Sequence, residues 1–344
     1  VGQVGDATTT PVRWSRVRIG TDGNWVSIAA GRLHTIALKS DGTLWAWGYN
    51  YDGQLGLGDT DSRSSPVQVG SDKNWVSIAT AIVMGEEHTV ALKSDGTLWA
   101  WGSNNYGQLG DGTNVERLSP AQVGNDADWV SIAAGGMHTI ALKSDGTLWA
   151  WGDNWEGQLG DGTFDYYAFV PENSVPKKIG INTNWVSVAA GWGHTVALKS
   201  DGTLWAWGCN WYGQLGDGTT TSRNSPKQIG TDNKWVSIAA NGMYTIALKS
   251  DGTLWAWGAN EHGQLGIGNN TGPQTCVVWG AEACSTSPIQ IGTDNKWVSI
   301  SAGSAHTVAL KSDGTLWAWG LNFYGQLGDC TSDYCWGPGC TVTT

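Results

Sequence analysis

The residues of this 344-residue chain that could carry acid–base or metal chemistry recur at equivalent positions of a repeated motif. Five of the six histidines occupy one position of a repeated motif, H-T-[IV]-A-L-K, and a tyrosine occupies it in another copy. These residues are His34, His88, His138, His194, His306 and Tyr244. A metal ligand or general base would not tolerate tyrosine so readily, and the HxxxH and CxxC spacings of metal sites are absent. We therefore expect a structural hydrogen bond here, and no metal or cofactor.

The repeated carboxylates are also predicted to have a structural role, as turn residues. Asp111, Asp161 and Asp217 lie in G-D-G-T loops. These loops contain fewer oxygen ligands than a calcium site needs, so we do not expect calcium there. Aspartate before glycine is a strong turn signal. No Ser/His/Asp or Cys/His arrangement stands out, so we do not expect an enzyme.

The cysteines suggest disulfides. Cys276 and Cys284 bracket the insertion TCVVWGAEAC, and we expect them to pair. Cys330, Cys335 and Cys340 lie in a cysteine-rich tail, residues 329–344; Cys209 could pair with one of them, or one of the four could bond another chain. Paired loop cysteines are typical of oxidising compartments. We therefore expect an extracellular or cell-surface protein, already freed of its signal peptide, since VGQVGDATTT lacks a basic start and an apolar middle.

The acidic charge balance argues against nucleic acids and anionic lipids as partners. The formal net charge is −11 and the sequence pI is about 4.8. Nucleic-acid phosphates and anionic lipids attract clustered lysine and arginine, which this balance does not supply. We therefore expect neither nucleic-acid binding nor membrane insertion.

These residues belong to a long repeat that must position them. The segment KSDGTLWAWG begins at Lys39 and recurs at Lys93, Lys143, Lys199, Lys249 and Lys311. The first copy predicts strands over Trp25–Ala29, Thr35–Leu38 and Thr43–Trp47, with a hairpin turn at Asp41-Gly42. A proline-containing segment such as SPVQVG fits an outer, fourth strand.

The third strand is apolar on both faces. Side chains alternate along a strand, so Leu44 and Ala46 face one way while Trp45 and Trp47 face the other. Four-stranded units that bury both faces predict a β-propeller, in which the paired tryptophans fill the gap between neighbouring blades. The expected fold is therefore all-β, with one propeller domain over residues 1–344.

At this point the sequence resembles a known family. G-x-x-H-T-[IV]-A-L followed by D-G-x-L-W-x-W-G-x-N-x-x-G-Q-L-G is similar to the repeat of the regulator-of-chromosome-condensation family, six times over. The resemblance implies a propeller, usually of seven blades. A light-sensing member gathers tryptophans through repeated G-W-R-H-T, but here only Gly191–Thr195, G-W-G-H-T, comes close.

The number of blades depends on the N-terminal segment, residues 1–20. Six three-strand units and five internal outer strands are present; a sixth outer strand, PVRWSRVRIG, stands at Pro11–Gly20. We predict six four-stranded blades, the last closed by this N-terminal strand. Two alternatives stay open: a seventh blade built from both tails, or donation of the strand to a neighbouring molecule, which would generate a filament.

Variable loop positions after the third strand carry many aromatic residues. They are Tyr51, Tyr106, Trp155, Trp211, Tyr212, His262, Phe323 and Tyr324. Exposed aromatic residues on one rim would form a binding face for protein or carbohydrate. The alternative is that these rings cap the core beneath them.

The favoured function is a non-catalytic, secreted or cell-surface propeller that binds a protein partner or copies of itself, with filaments possible. A monomeric protein- or carbohydrate-binding propeller is the alternative. Family analogy also offers a nucleotide-exchange regulator, although fold alone does not establish function.

Overall fold

Each of the first five repeats folds into three antiparallel strands followed by an outer strand, and the sixth shows the three strands alone among the described residues. The computed structural model describes residues 2–9, 17–81, 85–165, 171–277 and 281–329. The turn between the second and third strands follows from its sequence: Asp41 Oδ1 accepts hydrogen bonds from the Thr43 amide and hydroxyl. Gly42 has a φ of 78°, which side-chain-bearing residues adopt poorly. The predicted hairpin is confirmed.

The described chain divides into two compact units. The first contains three sheets, each in sequential strand order. They consist of β1 (Trp25–Ala30), β2 (His34–Lys39), β3 (Leu44–Gly48) and β4 (Arg63–Gln68); β5 (Trp75–Thr80), β6 (His88–Lys93), β7 (Leu98–Gly102) and β8 (Arg117–Gln122); and β9 (Trp129–Ala134), β10 (His138–Lys143), β11 (Leu148–Gly152) and β12 (Lys177–Lys178). A short 3-10 turn, Pro171–Asn173, precedes β12, and β13 (Trp185–Ala190) also belongs to this unit.

The second unit continues the pattern. Its strands are β14 (His194–Lys199), β15 (Leu204–Gly208) and β16 (Arg223–Gln228); β17 (Trp235–Asn241), β18 (Tyr244–Lys249), β19 (Leu254–Ala259), β20 (Gln274–Val277) and β21 (Ala281–Gln290); and β22 (Trp297–Ala302), β23 (His306–Lys311) and β24 (Leu316–Gly320). Strand β13 completes the fourth repeat. The fifth sheet has the order β17-β18-β19-β21-β20, so its insertion adds a fifth strand.

The predicted fold is confirmed: the protein is all-β and its six repeats are the blades of a β-propeller. Within the described residues the sixth sheet contains only β22, β23 and β24. Residues 10–16, most of the segment predicted to close it, lie outside the described chain, and residues 17–20 are not in a strand. Closure of the last blade by the N-terminal strand, and one continuous domain over 1–344, therefore stay predictions.

Neighbouring blades pack through the tryptophan at the end of each third strand. Trp101 is fully buried and packs with Leu44, Leu55 and Val69 of the preceding blade. Its Nε1–H donates to the carbonyl oxygen of Gln54 over 2.9 Å. The same contact recurs where Trp257 of the fifth blade meets the fourth. The prediction that this tryptophan fills the gap between blades is confirmed.

The other tryptophan of each pair is half-buried in the first five blades, and a lysine lies over its ring. Lys93 Nζ lies 3.8 Å from the ring centroid of Trp99 and 4.7 Å from that of Trp75. The same ammonium forms a 2.7 Å ion pair with Asp72. Lysine, two indoles and an aspartate therefore close this edge of the blade by cation–π and ionic contacts.

The last blade departs from the expected burial of both strand faces. Leu316 is 68% exposed and Trp317 is 49% exposed, whereas Leu44, the counterpart of Leu316, is fully buried. The prediction that every paired tryptophan is core is therefore wrong for Trp317. Leu44 belongs to a buried cluster with Trp75 and Trp101 of the second blade. Among the described residues, the sheet of the last blade ends at β24.

Candidate functional site

The loops after each third strand are held in one conformation by repeated side chains. Asn50 Oδ1 accepts a hydrogen bond from the Leu55 amide over 2.9 Å, and Gln54 Oε1 accepts one from the Asp52 amide over 3.0 Å. Gln108 holds Tyr106, and Gln214 holds Tyr212, in the same way. Each loop therefore presents its variable residues from a fixed frame, as recognition loops on a rigid scaffold do.

The eight predicted aromatic residues differ in exposure. Tyr51, Trp155 and Tyr324 are exposed, whereas Tyr106, Trp211, Tyr212, His262 and Phe323 are half-buried. Tyr51 stacks on Tyr49 with ring centroids 6.2 Å apart, and Phe323 meets Tyr324 edge-on at 4.8 Å. Some of these rings therefore face solvent and others are partly buried. A common binding rim stays a prediction.

The loop residues of the first two blades border a cluster of carboxylates. Glu86 Oε2 accepts from the Ser103 hydroxyl over 2.6 Å, and its Oε1 accepts from Asn105 Nδ2 over 3.0 Å. The adjacent Glu87 is fully buried, and its Oε2 accepts from Gln54 Nε2 over 2.5 Å. Because Gln54 Oε1 already holds a backbone amide, the orientation of that side-chain amide is set.

These residues and the neighbouring tyrosines affect one another's pKa values, so they form one region. Burial raises the pKa of the Glu87 carboxyl to about 7, and Asp52 adds to the increase. Burial, followed by Glu86, raises the pKa of Asp52 and of Tyr106. Burial, followed by Asp52 and Glu87, raises the pKa of Tyr49. We call Tyr49, Tyr51, Asp52, Glu86, Glu87 and Tyr106 the acidic–aromatic patch.

The sequence reasoning missed the acidic part of this patch. In the motif G-x-x-H-T the residue before histidine is Leu33, Met137, Gly193, Met243 or Ala305 in the other copies, and glutamate only at position 87. The sequence did contain a signal for it: a charged residue stands at a position where every other copy of the repeat has a small or apolar residue. The neighbouring insertion A-I-V-M lies partly outside the described residues.

The repeated histidines join neighbouring blades, so their structural interpretation is supported. The Thr139 hydroxyl donates to the Gln108 carbonyl over 2.8 Å, which leaves it to accept from His88 Nε2 at 3.0 Å. His194 reaches Thr245 of the next blade in the same way. Burial lowers the pKa of His88 to about 4, which keeps the ring neutral. The bond reaches the following blade, not the histidine's own turn.

The repeated aspartates act as turn residues, as the sequence predicts. Asp217 Oδ1 accepts from the amide and hydroxyl of Thr219, and its Oδ2 forms a 2.7 Å ion pair with Arg223. Asp111 does the same with Thr113 and Arg117. Within the described part of the chain, no group of three or more His, Cys, Asp or Glu is arranged to hold a metal ion. No described helix is long and apolar enough to cross a bilayer.

One of the predicted disulfides is present. Cys276 and Cys284 are bonded, with Cα atoms 5.9 Å apart, and staple β20 to β21. Cys209 is instead a buried free thiol, whose pKa burial raises to about 12. Its predicted partners Cys330, Cys335 and Cys340 lie outside the described residues. The pairing of 276 with 284 is confirmed, and the structure does not pair Cys209.

The stapled insertion reaches the aromatic loop of the fourth blade. Glu282, on β21, accepts a hydrogen bond from the Tyr212 hydroxyl, and burial followed by this carboxylate raises the pKa of Tyr212. In the same unit the Ser222 hydroxyl donates to Glu156 over 2.7 Å. Tyr212 is therefore anchored as part of the blade, and belongs less to a free binding surface than Tyr51 does.

Repeated blades joined by threonine–carbonyl and tryptophan–carbonyl hydrogen bonds define a repeat β-propeller. A profile of the RCC1-like domain matches residues 116–343, and profiles of the regulator of chromosome condensation (RCC1) repeat match residues 41–92 and, in a second version, 25–54 and 79–108. The chain belongs to the RCC1 family, as the repeat motif predicted.

Among curated relatives, the ultraviolet-B receptor UVR8 of Arabidopsis thaliana is 35% identical over 88% of this chain and 54% of its own length. The X-linked retinitis pigmentosa GTPase regulator homolog of Caenorhabditis elegans is 30% identical over 90% of this chain and 21% of its own. The chain thus spans about half, or less, of the length of these relatives.

Two solved structures support the fold. Yeast RCC1 (Prp20), solved bound to Kap60, superposes with a TM-score of 0.76 at 26% identity, covering 88% of this chain and 71% of that one. Human WBSCR16 superposes with a TM-score of 0.76 at 25% identity, covering 92% and 82%. A further structure of the yeast protein was described together with its binding to Gsp1p and histones.

Proposed function

We propose that this protein is a non-catalytic propeller that binds a protein partner through the loops after its third strands. The observation that supports it most is the fixed loop of the first blade, which presents exposed Tyr51 next to Asp52. Aromatic residues on rigid loops give large contact area at low entropic cost. Relatives support protein binding, since yeast RCC1 was solved in complex with Kap60.

The test is quantitative capture from the cells that make the protein. Immobilised wild type is compared with the double variant Tyr51→Ser/Trp155→Ser and with Val26→Ser, a control at an exposed residue of β1. We expect a partner retained by wild type and the control and lost by the double variant. Equal capture by all three would contradict a role for these loops.

We further propose that the protein resides in an oxidising environment, at the cell surface or outside the cell. The Cys276–Cys284 disulfide supports this, because such bonds persist mainly where thiol reductants are scarce. Alkylating the protein in intact source cells before reduction should leave both cysteines unlabelled, as mass spectrometry of peptides would show. Labelling of both without reduction would place the chain in a reducing compartment.

Self-assembly is a second candidate function, favoured by β24, which has no outer strand beside it among the described residues. Leu316 and Trp317 are exposed there, and the segment Pro11–Gly20 carries the outer-strand pattern. We propose that this segment from another copy can pair with β24. Sedimentation should then show concentration-dependent oligomers that Ile19→Asp abolishes, because its counterpart Val69 is buried in the first blade. A monomer at all concentrations would refute assembly by this route.

A further inference from the structure

The loop after β19 carries the only Asn-x-Ser/Thr triplet of the sequence, Asn269-Asn270-Thr271. When its middle residue is not proline, this triplet is the acceptor signal for N-linked glycosylation, which takes place on surface loops of secreted proteins. All three residues are exposed. Such triplets also arise by chance in polar loops, so the arrangement of these side chains decides whether the loop suits a glycan.

The Asn269 side chain is oriented by hydrogen bonds to its oxygen. Asn269 Oδ1 accepts from the amide and the hydroxyl of Thr271, each over 3.1 Å, and from the Gly272 amide over 3.2 Å. The backbone carbonyl of Asn269 accepts from Asn260 Nδ2 over 2.9 Å, so the main chain is fixed as well. Among the described residues Asn269 Nδ2 has no hydrogen-bond acceptor. The nitrogen that would carry a glycan is therefore not engaged, and it belongs to an exposed side chain.

The same turn is built around aspartate elsewhere in the chain. Asp217 and Asp251 each accept from the amide and the hydroxyl of the threonine two residues later, and Asn269 is the one asparagine in the described chain that does so. Hydrogen bonds to a carboxylate are the stronger ones, because they are charge-assisted. A turn role alone would therefore be served at least as well by aspartate, and it leaves the amide nitrogen of Asn269 without a use.

The loop also borders the stapled insertion of the fifth blade. Gly272 lies against the backbone of Cys284, since a Cβ on Gly272 would meet the Cys284 carbonyl oxygen at 2.6 Å. Cys284 is bonded to Cys276. Disulfides and N-linked glycans are both typical of chains that leave the reducing interior of the cell. Two features of exported proteins therefore lie within one short segment, residues 269–284.

We propose that Asn269 is the acceptor of an N-linked glycan. The glycan donor is an oligosaccharide joined to a lipid pyrophosphate. The bond from Asn269 Nδ2 to the anomeric carbon forms, the bond from that carbon to the pyrophosphate oxygen breaks, Nδ2 gives up one proton, and the lipid pyrophosphate leaves. This modification rests on the location proposed above, at the cell surface or outside the cell. The attached glycan keeps the loop of the fifth blade in solvent.

Peptide mass spectrometry of the full chain, purified from its source cells, tests the site. Peptide N-glycosidase in heavy-oxygen water converts a glycosylated asparagine to a labelled aspartate. We expect the peptide that contains Asn269 to gain this label with the enzyme and not in heavy-oxygen water alone, and the treated protein to migrate faster on a denaturing gel. Recovery of that peptide entirely without a glycan from the untreated protein would overturn the proposal.

Variants expressed in the same cells separate the modification from folding. Asn269→Asp keeps the turn, since Asp217 makes the same hydrogen bonds in its own loop, but it removes the nitrogen that accepts the glycan. Asn270→Gln is the matched control, because it changes the neighbouring exposed amide and leaves the triplet intact. We expect the slower migration to be lost in Asn269→Asp and retained in Asn270→Gln and Thr271→Ser. Slower migration that survives Asn269→Asp would place the modification elsewhere and contradict the assignment.

The two cysteines of the staple separate glycosylation from location. Alkylation in intact cells reports the state of Cys276 and Cys284 independently of any glycan. Protected cysteines together with an unmodified Asn269 would overturn glycosylation alone. Labelled cysteines together with an unmodified Asn269 would overturn both the location and the glycan.

Discussion

At the scale of single residues, the carboxyl of Glu87 links stability to pH. Burial raises its pKa to about 7, against 4.5 for an exposed glutamate. Folding therefore favours the protonated form. The unfolded state loses this proton first as pH rises, so the native state carries a growing penalty between the two pKa values.

This linkage makes the first prediction. As pH rises from about 4.5 to 7, the contribution of Glu87 to the free energy of unfolding should fall by up to ~3 kcal/mol and then level off. Glu87→Gln should remove that dependence and be the more stable protein at pH 8. Urea unfolding at pH 5 and pH 8 measures both. The idea fails if the difference between wild type and variant is the same at the two pH values.

Tryptophans in this chain contribute to stability according to position. Trp101 is fully buried between blades and Trp155 is 49% exposed. Trp101→Ala should lower the free energy of unfolding by about 3–5 kcal/mol, since it leaves a cavity and removes a hydrogen bond to Gln54. Trp155→Ala, with the same chemical change, should cost under about 1 kcal/mol. Chemical denaturation compares them, and similar losses would contradict the assigned burial.

At the scale of elements, the loop Gly-Gln-Leu-Gly is where one blade meets the next. Gly56 has a φ of 71°, and a Cβ there would lie 2.7 Å from Trp101 Nε1. Gly70 has a φ of 61° with nothing within 4 Å of such a Cβ. The two glycines share a left-handed backbone and differ in the space around them.

That difference makes a paired prediction. Gly70→Ala should cost about 1 kcal/mol from backbone strain alone. Gly56→Ala should cost clearly more, because the methyl group displaces Trp101 as well. Thermal unfolding of the two variants, with near-ultraviolet circular dichroism to follow the indole, gives the comparison. A smaller loss at Gly56 than at Gly70 would show that the loop is not in close contact with the next blade.

At the scale of the whole molecule, residues 2–9 act on the first blade as a preceding blade would. The Gln3 carbonyl accepts from Trp47 Nε1 and from the Thr35 hydroxyl over 3.0 and 3.2 Å. The Gln54 carbonyl likewise accepts hydrogen bonds from Trp101 Nε1 and the Thr89 hydroxyl of the second blade. The segment GQVG therefore supplies the inter-blade loop that the first blade requires.

Removal of residues 1–9 should accordingly destabilise the first blade. We expect the unfolding midpoint to fall by several degrees, because a buried indole N–H and a threonine hydroxyl lose their acceptor. Scanning calorimetry measures the midpoint, and hydrogen exchange should show faster exchange in β2 and β3 than in β6 and β7. An unchanged midpoint would mean that the N-terminal contacts contribute little.

Much of the scaffold could be predicted, because each turn and strand is determined by residues that are close together in the sequence. Asp41-Gly42 specifies its turn by an aspartate–threonine bond and a left-handed glycine, and Leu44 to Trp47 alternate between two buried faces. The exposure of Trp317 was not predictable, since it depends on packing between segments that are far apart in the sequence. The division of aromatic loop residues into exposed Tyr51 and anchored Tyr212 also depended on distant contacts, in the second case with Glu282.

The sequence by itself determined the repeat, its strands, its turns and the family, because each depends on neighbouring residues and on a period repeated six times. The tertiary structure decided which charges are buried together. Gln54 and Glu87 are separated by 33 residues and meet only because consecutive blades stack. The raised pKa of Glu87 follows from burial, which is a property of the packed blades and of no single segment.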